Sequence, residues 1–283
     1  MDATSTTLRM REFIFSEEDF QALRKLVKEL SGTMLTEHNL DLVYGRLPQR
    51  LRALNLRSFR DYRDLVSGDG GRELVNLCNA ITTNLTAFFR EPHHFEHLRT
   101  HVLQPLLANP PANRRIRIWS AGCSTGEEPY SIAMTVLETI PDLARWDIRI
   151  LATDLDSDVL ERGRRGRYME DRSRVLSDAR REKFFRAVTD GKQTAHQVTA
   201  ELARLVTFKH LNLMHPFPMK GPFDAIFCRN TVIYFDKETQ RDLFARMTRL
   251  QRPGDLLFLG HSETLFKVST AYTLVSRTIY RRN

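Results

Sequence analysis

A chain of 283 residues is long for one compact core and suits a small domain beside a larger one. Its 43 Lys+Arg against 35 Asp+Glu leave a net charge of +8, a field that concentrates acidic partners such as nucleic acid, anionic lipid or Glu-rich protein surfaces. Cys78, Cys123 and Cys228 form no Cys-x-x-Cys pair and fit a reducing compartment, and with neither a signal-like start nor an apolar run of about 18 residues the chain is expected to be cytoplasmic, without membrane insertion.

The first part of the chain reads as helices. Ser16, with Asp19 three positions on, is an N-cap for a helix that places Phe20, Leu23, Val27 and Leu30 on one face, and Gly32 ends it. A second pattern carries Leu40, Val43, Leu47, Leu51 and Leu54, but Pro48 falls inside it and should kink or split it. Ser58 caps a third helix through Leu65, the Gly68 to Gly71 stretch is a loop, and Leu74, Leu77, Cys78 and Ile81 define a fourth. A helical domain over residues 1–85 and a second domain over 86–283 are expected, with a loop around Pro105, Pro110 and Pro111.

From Ile116 short apolar runs alternate with amphipathic segments: Ile116 to Ser120, Ile148 to Thr153, Ala225 to Cys228 and Leu256 to Gly260. This grammar predicts an α/β fold with a mostly parallel sheet flanked by helices. Between Phe185 and Phe208 the pattern weakens and Asp190-Gly191 marks a hairpin turn, so a small strand-rich insertion is expected over about 185–208.

Chemistry-bearing residues follow the strands. Ile116 to Ser120 leads into Gly122, Cys123, Ser124, Thr125, Gly126, Glu127 and Glu128, then Pro129 in the first turn of a helix. This strand, glycine loop and helix lacks both Gly-x-Gly-x-x-Gly and a Gly-Lys-Ser/Thr, and its two glutamates suit a cationic ligand better than a phosphate. Asp154, ending the next strand, is placed to accept from ribose hydroxyls; the competing reading is a helix N-cap, a job that Asp156 and Ser157 could also fill. Arg229, Asn230 and Tyr234 follow the apolar run Phe223 to Cys228, where open sheets bind ligands, although a capped junction would explain Asn230 alone. By pattern alone Arg90 is a solvated residue, and Cys228 is a small hydrophobe rather than a nucleophile. His93, His97 and His101 share a helix face at i, i+4 spacing but lack the His-Glu-x-x-His glutamate, so solvated or packed histidines are expected there and no metal.

Taken together, Asn84 to Arg90 (NLTAFFR), Ala121 to Ile132 (AGCSTGEEPYSI), Ala152 to Leu155 (ATDL), Phe223 to Asp236 (FDAIFCRNTVIYFD) and Leu259 to Leu265 (LGHSETL) resemble the CheR family of chemoreceptor glutamate methyltransferases, in the family's order and over nearly the whole chain. The resemblance implies a small N-terminal helical domain that recognises the receptor. It is followed by a Rossmann-like class I methyltransferase sheet with an antiparallel β insertion. S-adenosylmethionine would be the methyl donor and S-adenosylhomocysteine the product. By the same likeness Asn84, Thr86 and Arg90 line the donor site, Glu128 holds the donor's amino group, Asp154 the ribose, and Asn212 with Leu213 lies near the adenine. Arg229 and Asn230 complete the pocket, and the catalytic pair is Arg90, near the reacting centre, and Tyr234, facing the incoming glutamate. The chain departs from the family at Pro48, in a basic helix that usually reads through, and at Asp255, where glycine usually follows the Pro-Gly turn.

The implied partner is the cytoplasmic signalling domain of a chemoreceptor, and some enzymes of this layout also bind a receptor C-terminal peptide on the strand-rich insertion. Arg46, Arg50, Arg52 and Arg57 are the expected receptor contacts, with Arg46 and Arg50 sharing a face if the second segment stays helical. Two other classes compete. An RNA or DNA methyltransferase would use the basic charge, but an Asn/Asp-Pro-Pro-Tyr/Phe signature is missing and few aromatics interleave the basic segments. A non-catalytic donor-sensing protein would bind receptors without turnover, against which stands the completeness of the pocket.

Overall fold

The computed structural model describes residues 12–68, 72–81, 84–191 and 193–283. The chain divides into two compact units with the boundary between residues 82 and 83.

The first unit is helical. Ser16 Oγ accepts from the Asp19 amide at 3.1 Å while Asp19 returns a bond to the Ser16 amide, closing a capping box at the start of Glu17–Ser31. Gly32, at φ 72, ends that helix by donating to the Lys28 carbonyl. Pro48 splits the second segment as its missing N–H dictates, giving Leu40–Arg46 and then Pro48–Ala53 with the proline at the first position. Phe59–Gly68, capped by Ser58 Oγ on the Asp61 amide, and Arg72–Ile81 complete the described α-helices of the unit; residues 69–71 of the expected loop lie outside the described residues. Phe20, Leu23, Val43, Leu47, Leu51, Phe59, Tyr62 and Leu77 are fully buried.

The expected stripe of receptor-facing arginines divides in two. Arg46 donates to the carbonyls of Ala80 and Ile81 at 3.1 and 2.9 Å, and Arg50 grips Glu73 with two bonds of 2.9 and 2.7 Å. Glu73 is buried and also accepts from Tyr62 Oη and Asn76 Nδ2. Arg50 meets a buried carboxylate that must be paired, and Arg46 meets the carbonyls that end Arg72–Ile81, so both tie helices together rather than standing free as a stripe. Arg52 and Arg57 are exposed, Arg52 against Glu12 at 2.6 Å.

The second unit holds the strands β1 (Arg115–Ala121), β2 (Asp147–Asp154), β3 (Arg167–Met169), β4 (Phe185–Asp190), β5 (Gln193–Val198), β6 (Val206–His210), β7 (Ala225–Cys228), β8 (Leu256–Leu259), β9 (Tyr272–Ser276) and β10 (Ile279–Arg282). The main sheet has the order β6-β2-β1-β7-β8-β10-β9, parallel from β6 to β8, with β10 antiparallel to both β8 and β9. Alternate residues feed opposite cores: Ile116, Ile118, Phe227 and Phe258 point to one, Trp119, Ile226, Leu257 and Leu259 to the other. Both faces are therefore covered, which is why these strands read as unbroken apolar runs. At Asp255 the turn is held by its carboxylate accepting from the Arg252 amide at 2.6 Å, after Gly254 at φ 97.

A separate sheet, β3-β5-β4, is antiparallel, with β4 and β5 paired from Phe185↔Val198 to Asp190↔Gln193 and Gly191 at φ 61 in the turn. Its extent differs from the expected 185–208. Arg167–Met169 joins it, and Val206–His210 instead pairs with β2 as the edge of the main sheet. An edge strand needs apolar residues only where it meets a core, and here just Val206 and Phe208 are buried, so it looked like part of the insertion.

In Glu73, burial pushes the carboxyl up, but bonds from Arg50, Asn76 and Tyr62 more than reverse this and leave it below the ordinary carboxylate range. Its contribution to stability is complete above the ordinary value near ~4.3 and is lost as pH falls through the lowered one. Arg50→Ala should destabilise the helical unit by about 2–3 kcal/mol, and Arg52→Ala by about 0.5 kcal/mol or less, in urea unfolding at neutral pH. Equal effects from the two would contradict this division of roles.

Candidate active site

An open parallel sheet binds ligands beyond its carboxyl ends where the chain's direction of travel reverses. Here that point lies between β1, which leads on to β2, and β7, on its other side. The loop after β1 turns through Gly122 at φ 85, Ser124 at φ 49 and Gly126 at φ 96 into the helix Glu127–Thr139. A Cβ on Gly122 would stand 2.3 Å from Thr231 Oγ1, so this loop packs directly on the loop after β7.

Asp154 ends β2. Its two oxygens accept from the amides of Ser124 at 2.8 Å and Asp156 at 3.0 Å, which ties the glycine loop to the strand end. The N-cap alternative falls to its neighbour: Asp156 Oδ1 accepts from Asp158 and Val159 at the start of Ser157–Arg165, leaving Asp154 outside that job. Burial pushes the Asp154 carboxyl up, opposed by these amide bonds. On the adjoining strand, the Leu211 amide donates to the Asp154 carbonyl, and Asn212 and Leu213 follow, both buried, with Asn212 Oδ1 on the Met214 amide.

Glu128 is buried in the first turn of its helix, accepting from Ser120 Oγ at 2.7 Å and Arg229 Nη1 at 2.9 Å. Burial raises its carboxyl and Arg229 draws it back. Arg229 Nη2 also donates to the Arg90 carbonyl and lies 3.5 Å from Glu91 Oε2, while its Nε is buried without a partner. Arg90 is thus held by its backbone, between Phe89 at φ 51 and Glu91 at φ 58, and its Nη1 donates to the Leu85 carbonyl at 2.9 Å. Asn84 Nδ2 donates to Asp156 Oδ2 at 2.9 Å, and its carbonyl accepts from Ser124 Oγ. The Thr86 carbonyl accepts from Arg172 at 3.1 Å. Asn230, at φ 56, and Tyr234, exposed in the short 3-10 helix Val232–Tyr234, follow β7.

Asn84, Arg90, Glu128, Asp154, Asn212, Leu213, Arg229 and Asn230 lie along the carboxyl edge of β6, β2, β1 and β7, Tyr234 follows β7, and Thr86 is linked through its carbonyl to Arg172. Two acids went unremarked in the sequence: Glu91, next to Arg90, and Glu263, whose carboxylate meets the amides of Asn230 to Ile233. The signal for Glu263 was its place as the acid of LGHSETL. Of the three histidines, His93 and His101 are exposed and His97 is half-buried, its ring centroid 3.9 Å from that of His101; burial followed by His101, Arg281 and His93 brings His97 to about 4. Glu91, His93 and His94 bring ligand-type atoms within 4.8 Å of one another, but Arg229 already faces the Glu91 carboxylate as its cation. Cys228 is buried in the core, its thiol pushed well up by burial.

An edge of this kind, with an acid at the end of β2, a buried acid behind the glycine loop and no phosphate-cradling lysine, is that of a Rossmann-like methyltransferase using S-adenosylmethionine. Residues 84–281 match the CheR methyltransferase SAM binding domain and residues 18–82 the CheR methyltransferase all-alpha domain. The chain belongs to the CheR methyltransferase family. It is 46% identical over 237 residues to the "Probable chemotaxis protein methyltransferase" of Rhizobium etli, covering 82% of this chain and 87% of that one. It is 41% identical over 283 residues to the "Chemotaxis protein methyltransferase" of Escherichia coli, covering 98% and 95%, and 42% identical over 273 residues to "Chemotaxis protein methyltransferase 2" of Pseudomonas aeruginosa, covering 95% of each. No described helix is long and apolar enough to cross a membrane.

Gly122→Ala should cost about 1 kcal/mol or more, because it combines a left-handed φ with a Cβ driven into Thr231. Calorimetry should show weakened S-adenosylhomocysteine binding with it; wild-type melting and affinity would mean the two loops are free to separate.

Proposed function

We propose that this protein transfers the methyl group of S-adenosylmethionine to glutamate side-chain carboxylates in the cytoplasmic signalling domain of chemoreceptors, leaving glutamate methyl esters and S-adenosylhomocysteine. Family membership and the relatives named chemotaxis protein methyltransferase support the substrate class, and they lend nothing to an RNA or DNA methyltransferase or to a silent receptor-binding protein. The observation that carries the reading is that Asp154, at the end of β2, and the Glu128–Arg229 pair, beside the ends of β1 and β7, stand on the same carboxyl edge of the sheet. The cytoplasm is where such a protein would meet its receptor.

When bound, S-adenosylmethionine supplies an electrophilic methyl on a sulfonium. Asp154 would hold the ribose hydroxyls: a carboxylate has about four lone-pair sites, and the two amides it now meets leave room for both. Glu128 would take the donor's amino group, Asn212 and Leu213 would border the adenine, and Asn84, Thr86, Arg229 and Asn230 would line the rest of the pocket. The acceptor glutamate is already ionised near neutral pH, so no strong general base is required. Arg90 and Tyr234 would orient it, and rate would come from alignment of the two reactants and control of solvent around their charges.

In the helical unit, the exposed Arg52 and Arg57 are the better receptor contacts, since Arg46 and Arg50 are engaged internally. The antiparallel sheet offers β4 as an edge for a receptor C-terminal peptide, to be paired by its backbone.

Labelled donor incubated with receptor membranes should give alkali-labile label on receptor protein; stable label on RNA would sink the reading. Asp154→Ala should weaken S-adenosylhomocysteine binding about 10-fold to 100-fold, the worth of one hydrogen bond to a charged group, and should also lower the melting temperature, because the Ser124 and Asp156 amides lose their acceptor. In the wild type, affinity should decline as pH falls through the raised range of Asp154, and Asp154→Asn should remove that step. Arg90→Ala should slow single-turnover transfer at saturating donor far more than it alters donor affinity. Loss of affinity alone would return Arg90 to a structural role.

A further inference from the structure

The turn that carries Asn230 and Tyr234 is assembled around one carboxylate. Glu263 is buried, and its Oε1 accepts from the amides of Thr231 at 2.9 Å, Val232 at 2.8 Å and Ile233 at 3.2 Å. Its Oε2 accepts from Asn230 at 2.9 Å and Gly260 at 2.6 Å. The backbone makes this convergence: Asn230 is left-handed at φ 56 and Thr231 right-handed at φ -113, ψ -46, which curls successive amides into a concavity for an anion. An ordinary helix cap satisfies one or two amides. Here five donors from two loops are satisfied, and the division between oxygens follows the chemistry of the edge: Oε2 holds Asn230, and Oε1 holds the three residues that lead to Tyr234. Steric contact reinforces the first set, since a Cβ on Gly260 would meet Asn230 Nδ2 at 2.3 Å.

We propose that Glu263 is a positioning residue for methyl transfer, its two oxygens fixing the donor-side Asn230 and the acceptor-side Tyr234 from a single point and so setting the register of the two reactants. The inference rests on the reading above, which gives Asn230 to the donor and Tyr234 to the acceptor. An in-line displacement is sensitive to that register, because small misplacements of either reactant are paid in rate. Glutamine at this position can accept through one atom only, and its amide group meets the other set of N–H groups as a donor. Alanine leaves all five amides without a partner in a space the size of a small carboxylate.

The full chain carrying Glu263→Gln or Glu263→Ala tests this with three readouts: melting, S-adenosylhomocysteine affinity by calorimetry, and single-turnover transfer to receptor at saturating donor. Glu263→Gln is expected to melt cooperatively, to lose about 10-fold in affinity and to lose about 10-fold or more in single-turnover rate. Glu263→Ala is expected to recover rate with added formate and not with the same concentration of chloride. Loss of single-turnover rate at saturating donor in a Glu263→Gln protein that still melts cooperatively is the response that a merely structural carboxylate would not give. A wild-type single-turnover rate in Glu263→Gln would overturn the proposal. So would failure of both variants to melt cooperatively, which would make Glu263 a folding element only. The affinity arm needs no receptor: wild-type protein that methylates no receptor would sink the acceptor reading, whereas weakened affinity in Glu263→Gln would still support the hold of Glu263 on the donor side.

Discussion

The arrangement at the carboxyl edge depends on a buried guanidinium. Arg229 has almost no solvent access, so its charge must be met inside the protein, and it is met by Glu128 from the first helix after the glycine loop and by Glu91 from the segment before the sheet. The same side chain donates to the Arg90 carbonyl. Three stretches far apart in sequence are thereby drawn to one point. Removing one member would leave the others as uncompensated buried charge, which gives this interaction a weight that surface ion pairs such as Arg165 with Glu161 lack.

Around that centre the loops are locked by shape. Gly122 lies so close to Thr231, and Gly260 so close to Asn230, that a side chain at either would force its neighbour to move. Close backbone approach is what lets the loops after β1, β7 and β8 act as one wall, with the Glu263 carboxylate filling the concavity between two of them. Left-handed residues cluster in the same region, at Phe89, Glu91, Ser124 and Asn230. Conformations of this kind persist where the surroundings over-determine them, and the hydrogen bonds to Ser131, Glu263 and Asp154 supply that constraint.

The excess positive charge is likewise divided by structure. In the helical unit some arginines are spent on buried carbonyls and on Glu73, and others stay in solvent. Net charge therefore describes the long-range field without saying which cations a partner can touch. In the second unit Arg180 stacks on Phe89 at 3.9 Å and grips Glu138, another cation whose work is internal.

The fold was legible in local pattern. The Ser16 capping box, the Gly32 stop, the break at Pro48 and the apolar runs of β1, β2, β7 and β8 each follow from forces acting within a few residues, or from burial on both faces of a strand. Placement of acids and glycines after those strands, read with the family resemblance, marked the carboxyl edge along which Glu128, Asp154 and Arg229 lie. Sequence could not assign β6 to the main sheet, because an edge strand half in solvent carries the alternation of a hairpin strand. Nor could it choose between Asp154 and Asp156 as the helix cap, or separate Arg46 and Arg50 from Arg52 and Arg57, since those outcomes depend on which polar group lies opposite after folding. For the same reason, local sequence does not mark Glu91 or Glu263. Local sequence determines helices, strands and turns through propensity and burial, whereas only the tertiary structure decides which buried charge faces which partner, because that pairing is made between residues as far apart as Glu128 and Arg229.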